Sequence, residues 1–217
     1  MVLRWDEGRF YPSRPLGQAP FPFPCDCGQL CLLRGMPGRP ALFLDRDGNL
    51  IRDHHHTCRE DQIELIPGVK EALRACLREG YLLFILTNQS GINRGIFTWE
   101  QYEACNRRML ELLELPAPGI LEIKAAPERP DEASLYRKPS PRFILEKIAE
   151  YGIDPSRSWM TGDRISDWEA GFNAGIRSGA MRSGAARPED LLAASQRGFA
   201  IYADFPDFVR VELGLEF

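Results

Sequence analysis

The chain has 217 residues, a length that suits one α/β domain with an appendage better than two full domains. With 44% hydrophobic and 27% charged residues and a net charge of −4, it reads as a globular protein whose acidic balance argues against nucleic acid as the main partner. No apolar run approaches the roughly 20 residues of a membrane helix, and MVLRWDEGRFYPSRP lacks the apolar core and cleavage pattern of a signal peptide, so a cytoplasmic location without membrane contact is expected, with reduced cysteines.

Residues 1–40 differ from everything that follows. Seven prolines from Pro12 to Pro40 and the lack of any helical or strand period predict an irregular, Pro-rich extension. Trp5, Phe10, Tyr11, Phe21 and Phe23 are too apolar for a free tail, which predicts that the segment packs on the core. Cys25, Cys27 and Cys31 offer three thiolates where zinc takes four ligands, and their spacing matches no common zinc pattern, so reduced structural cysteines are the preferred reading over a metal.

Residues 41–217 read as the main domain. Ala41–Leu44 is a short buried strand that runs into Asp45, Arg46, Asp47 and Gly48. Two carboxylates one residue apart at a strand end address one region, and ligands of parallel sheets lie beyond the carboxyl ends of strands. Taken alone, a D-x-D-G is more often a turn; the rest of the chain overturns that reading. His54, His55 and His56 with Cys58 form a run that reads as a substrate-facing or solvated loop, since adjacent residues rarely converge on one ion.

A helix is expected from Pro67-Gly68 to about Glu79, then a central strand over Tyr81–Thr87, continuously apolar as a doubly covered strand should be. Thr87 to Gly95 (TNQSGINRG) follows, and its small polar residues and exposed N–H groups suit phosphate oxygens. Thr98–Gln101 is a capping box opening a helix to about Glu114, and Ile120–Ala125 is a third strand. The loop Ala126–Arg137 delivers Lys138; a helix then runs from Ser140-Pro141 to Tyr151. Trp159–Thr161 is a strand leading to Asp163, and a capping box at Ser166–Glu169 starts a helix at Asp167. A strand over Ile176–Met181, a helix near Glu189–Ser195, an edge strand at Phe199–Ala203 and a helix from Pro206 complete the pattern. Cys76 and Cys105 fall on helical core positions. This βα alternation predicts an α/β fold: a three-layer α/β/α sandwich around a mainly parallel, Rossmann-like sheet.

Four strand ends thus supply Asp45 and Asp47, Thr87 and Asn88, Lys138, and Asp163 with Asp167. Converging carboxylates need a cation, and Mg²⁺ prefers such hard oxygen ligands. Asp45 can attack phosphorus, Asp47 can act as acid and base, and Thr87 and Lys138 can hold the transferring oxygens. The competing reading, a non-catalytic module binding a metal or partner, would have to explain why every acid and the lysine are present.

The segments D-R-D-G, T-N-Q-S-G, R-K-P and G-D-R-x-S-D, in this order, resemble the four motifs of the haloacid dehalogenase (HAD) superfamily, over about Pro40–Ser183. TNQSGINRGIFT and YRKPSP are similar to the capless branch that contains heptose-1,7-bisphosphate 7-phosphatases and histidinol phosphatases. The resemblance implies a phosphomonoesterase with no large cap domain that acts on a small phosphorylated sugar, with a heptose bisphosphate preferred over histidinol phosphate. It implies Asp45 as nucleophile, Asp47 as acid/base, Thr87, Asn88 and Lys138 as phosphate ligands, and Mg²⁺ held by Asp45, the Asp47 carbonyl and Asp163. Asp167 is implied as a supporting acid, with Arg46, Asp53, Arg94 and Arg137 around the substrate. The cysteine/histidine zinc site that many of these phosphatases carry before R-K-P is absent from the sequence, since Ala126–Arg137 holds neither residue. Polynucleotide 3′-phosphatases share a similar T-N-Q-x-G-I-x-R-G stretch, but the acidic balance speaks against that substrate.

Overall fold

The structure, a computed structural model, describes residues 38–184 and 186–217, together with the backbone of two strands, β1 (Val2–Asp6) and β2 (Arg9–Pro12). The expectations for Cys25, Cys27, Cys31 and the rest of the extension lie outside the described residues. Within the extension, β1 and β2 depart from the irregular chain expected there. They pair antiparallel, and β1 also pairs antiparallel with a strand of the main sheet, Leu3 opposite Ile123. The proline density begins only at Pro12, so β1 and the start of β2, with Val2, Trp5, Phe10 and Tyr11, are free to extend and pair.

Six further strands are β3 (Ala41–Leu44), β4 (Leu82–Asn88), β5 (Ile120–Ala126), β6 (Trp159–Gly162), β7 (Arg177–Met181) and β8 (Ala200–Tyr202). Between them run α1 (Val69–Arg78), α2 (Trp99–Leu113), α3 (Arg142–Tyr151), α4 (Ile165–Asn173) and α5 (Pro188–Gln196), and α6 (Phe205–Val211) follows β8. The six pair in parallel in the order β5-β4-β3-β6-β7-β8. From β3 the chain moves outward through β4 and β5 and then returns to β6 on the other side of β3. The reversal puts a crevice beyond the carboxyl ends of β3 and β6, where open α/β sheets bind ligands.

Strand period 2 divides the core. Leu42, Leu44, Leu83 and Ile85 face α1, α2 and α6, meeting Val69, Leu73, Met109 and Phe208. Ala41, Phe43, Phe84 and Met160 face α3 and α4, meeting Phe143, Ile144 and Ala170. Coverage on both faces explains why these strands are apolar without interruption. Phe43 and Phe84, neighbours in register, stack at 5.2 Å, with the Phe143 ring edge-on to each at 6.3 Å.

One boundary changes meaning. Helix α4 begins at Ile165, two residues before the expected start, with Arg164 at its N-cap. Asp167 is therefore its third residue, and its carboxylate accepts from the Arg164 N–H at 3.0 Å. The capping acid is Asp167 itself, because the turn after β6 already points the Arg164 amide at it. No inserted domain separates β3 from α1 among the described residues, only a one-turn 3₁₀ helix (Glu60–Gln62). No helix there is long and apolar enough to cross a membrane.

Phe84 is fully buried and touches the rings of Phe43, Phe143 and Tyr151. Phe84→Ala is expected to cost about 3–5 kcal/mol of stability by denaturant unfolding. Leu192→Ala, at a side chain 60% exposed, should stay within about 0.5 kcal/mol.

Candidate active site

Lys138 is the centre of the site. It is almost fully buried, and its Nζ lies 2.7 Å from both Asp45 Oδ1 and Asp167 Oδ1. The loop after β5 brings it there, and Asn88 at the end of β4 fixes that loop. Its Oδ1 accepts from the Lys138 N–H at 3.0 Å, and its Nδ2 donates to the Lys138 carbonyl at 3.2 Å. Asn88 thus lines the crevice while its amide is spent on the Lys138 backbone.

Asp45 stands at the end of β3, buried, with Oδ1 also accepting from the Arg46 N–H at 2.8 Å. Its backbone is tied to β6: its N–H donates to the Thr161 carbonyl at 2.9 Å, and Asn49 Nδ2 donates to both the Asp45 carbonyl and Thr161 Oγ1. Burial pushes its carboxyl up to about 7, with Lys138 pulling the other way and Asp167 adding to the rise. For Lys138, burial works against the charge, but Asp167 and Asp45 outweigh it and raise its pKa.

Asp163 follows β6 and is fully buried. Asp45, Asp163 and Asp167 each offer an oxygen, all within 4.8 Å of one another. Two glycines make room for this. Gly48 and Gly184 both have positive φ, +78° and +76°, and a Cβ on either would come within 2.6 or 2.4 Å of Asp163 Oδ2. Ser183 holds the two loops together by donating to the Gly48 carbonyl at 2.7 Å. Three carboxylates facing one ammonium leave two negative charges, and the donors are all hard oxygens. That set fits a divalent cation of the Mg²⁺ type.

Asp47 lines the same crevice, but its carboxylate turns away from this cluster. Oδ2 accepts from Gln89 Nε2 at 2.8 Å and from Arg46 Nε at 3.0 Å, and Oδ1 accepts from Arg46 Nη2 at 3.2 Å. Gln89 Nε2 also donates to Thr87 Oγ1 at 2.9 Å. Residues 87 and 89 share a side of the chain because they are two apart in an extended strand end. That spacing is the sequence signal for Gln89, whose amide links Asp47 to Thr87.

The crevice holds about 450 Å³. Thr87, which the resemblance assigns to phosphate, and Arg137 and Asp53, which it assigns to the substrate, line it, and so do His55 and His56. Asp53 pairs with Arg164 at 3.2 Å and accepts from the His55 N–H at 2.7 Å, and the His56 ring lies 6.2 Å from Phe97. Arg137 donates to the Glu128 carbonyl at 2.8 Å; burial and the nearby charge of Arg94 lower its pKa.

Two residues expected around the substrate are not among those lining the crevice. Arg94 is exposed, at a distance from which its charge still acts on Arg137. Arg46 is fully buried, with its guanidinium directed at Asp47 and at Asn106 of α2, 2.9 Å away. It points inward because the chain leaves the strand after Leu44, and the Arg46 carbonyl accepts from Leu50 and Ile51 to close a tight turn. Asn106 is not among the residues the motifs point to, although a lone amide on the apolar stripe Tyr102, Cys105, Met109, Leu113 is a legible irregularity.

A model of the HAD-hydrolase-like family matches residues 135–208. The D-glycero-β-D-manno-heptose-1,7-bisphosphate 7-phosphatase of Rhodopseudomonas palustris is 36% identical over 147 residues, covering 64% of this chain and 82% of that one. The enzyme of the same name from Pasteurella multocida is 34% identical over 179 residues, 79% of this chain and 97% of that one. Among solved structures, D,D-heptose 1,7-bisphosphate phosphatase from B. bronchiseptica, complexed with magnesium and phosphate, has the same fold. It has a TM-score of 0.73 at 24% identity, covering 81% of this chain and 98% of that one.

Gly184→Ala puts a methyl group against Asp163 at a backbone angle that disfavours it. We expect a loss of about 1–3 kcal/mol in urea unfolding. An unchanged midpoint would mean that the two loops are not closed around Asp163.

Proposed function

Since the chain belongs to the HAD-like hydrolases and is a phosphatase, we propose that it removes the 7-phosphate of D-glycero-D-manno-heptose 1,7-bisphosphate in a Mg²⁺-dependent reaction through an aspartyl phosphate on Asp45. The observation that carries the reaction class is Lys138 Nζ at 2.7 Å from both Asp45 and Asp167, with Asp163 beside them at a sheet crevice. The names of the relatives support the substrate.

An Asp45 oxygen attacks phosphorus, and the bond from phosphorus to the sugar oxygen breaks. The leaving oxygen takes a proton from Asp47 and departs as the sugar alcohol. Water then attacks the phosphorus of the aspartyl phosphate, its spare proton returns to Asp47, and phosphate leaves as the Asp45 carboxylate is restored. Lys138 holds Asp45 in line and offsets the charge of the transferring oxygens, with Thr87 as a hydroxyl partner. Mg²⁺, held by Asp45, Asp163 and the Asp47 carbonyl with Asp167 in support, would supply positive charge against those oxygens. Arg137, Asp53 and the exposed Arg94 are assigned to the sugar and its second phosphate.

Phosphate release should be measured from heptose 1,7-bisphosphate and histidinol phosphate, with Mg²⁺ and with EDTA. Turnover of the first that needs Mg²⁺ is expected, and Asp45→Asn should lower it at least about 10³-fold with the fold intact. Preference for histidinol phosphate would reassign the substrate. Full activity in Asp45→Asn would remove the nucleophile from the scheme.

A further inference from the structure

Burying a guanidinium completely is costly, and a buried ion pair is weak evidence of stability in itself. Arg46 is nevertheless wholly enclosed, and it spends its donors on two targets. Nε and Nη2 reach the Asp47 carboxylate side-on, and Nη1 donates to Asn106 Oδ1 at 2.9 Å. The Tyr102 ring lies under the guanidinium at 5.1 Å. Tyr102 and Asn106 are one turn apart on α2, so one helix face grips the arginine from beneath. Asp47, by contrast, keeps 18% of its side chain exposed to the crevice.

We propose that Arg46, anchored by Asn106, is a positioning residue that sets which Asp47 oxygen handles the proton. Oδ2 already accepts from Arg46 Nε and Gln89 Nε2, which use both of its lone pairs. Among the described residues Oδ1 accepts only from Arg46 Nη2, at 3.2 Å, and that Nη2 lies nearer to Oδ2, at 3.0 Å. Oδ1 therefore has the spare capacity and is the oxygen that carries the proton to the leaving group. The clamp fixes it without contact between Arg46 and substrate. This inference rests on the reading of Asp47 as acid and base.

The test varies the demand for a proton. A heptose 7-phosphate releases an alkoxide that must be protonated, whereas p-nitrophenyl phosphate releases a stable phenolate that need not be. Arg46→Lys keeps the charge and loses the side-on fork. It is expected to lower the single-turnover rate of leaving-group release from the heptose bisphosphate about 10–100-fold and to leave the single-turnover release of p-nitrophenolate nearly unchanged. The later attack of water on the aspartyl phosphate is common to both substrates and lies outside this readout. Asn106→Leu, which removes only the anchor, should show the same pattern more weakly and guards against misfolding of the arginine variant. In an Asp47→Asn background, Arg46→Lys should add no further loss. Equal losses on the two substrates in both Arg46→Lys and Asn106→Leu would overturn the positioning role. If Asp47→Asn discriminates between the substrates and Arg46→Lys does not, the inference fails alone. If Asp47→Asn does not discriminate either, the acid/base reading falls with it.

Discussion

Everything in the site depends on one ammonium group held between carboxylates that repel one another. Asp45, Asp163 and Asp167 come from two adjacent strand ends and a helix start, and all three are buried. Buried acids at such distances stay together only if their charge is balanced. Lys138 supplies part of that balance by touching two of them, and the remainder suits a divalent ion. The partial balance is visible in Asp45, whose carboxyl is pushed up to about 7 by burial despite the lysine beside it.

The fold's contribution is rigidity at the place where this balance is struck. Strands β3 and β6 are neighbours in register and are cross-linked just beyond their ends by Asn49, which spans the Asp45 carbonyl and Thr161. Helices packed on both faces, through Leu42, Leu44 and Ile85 on one and Phe43, Phe84 and Met160 on the other, leave the strand ends little freedom. A crowded set of like charges can then be kept in place by apolar packing a few ångströms below.

Much of this was legible in the chain. The uninterrupted apolar runs at 41–44 and 82–86 announce doubly covered strands, and the switch to acids, amides or a lysine at each end announces a site. What could not be read was direction. Whether Arg46 faces the cavity or the core depends on a turn closed by Leu50 and Ile51, and on an amide sixty residues downstream. Arg94 and Arg137 look equivalent in sequence, yet only one lines the crevice. The start of α4 shifted because the acid assigned to open the helix is instead its third residue, bonded back to Arg164. The strands Val2–Asp6 and Arg9–Pro12 are short and carry no clean alternation, and the prolines that follow them give the extension as a whole an irregular composition.

Those two strands have a consequence for the molecule's behaviour in company. Without β1, β5 would be the outermost strand on its side, seven residues long with five of them apolar, and its backbone groups would be free to pair with any passing chain. The hairpin occupies that edge and ends it at β2, a strand of four residues closed by Pro12, a residue with no N–H to offer. At the opposite edge, β8 is only three residues long. Both borders of the sheet are thereby poor templates for further strands, so β1 and β2 help keep one copy of the protein from adding to the next.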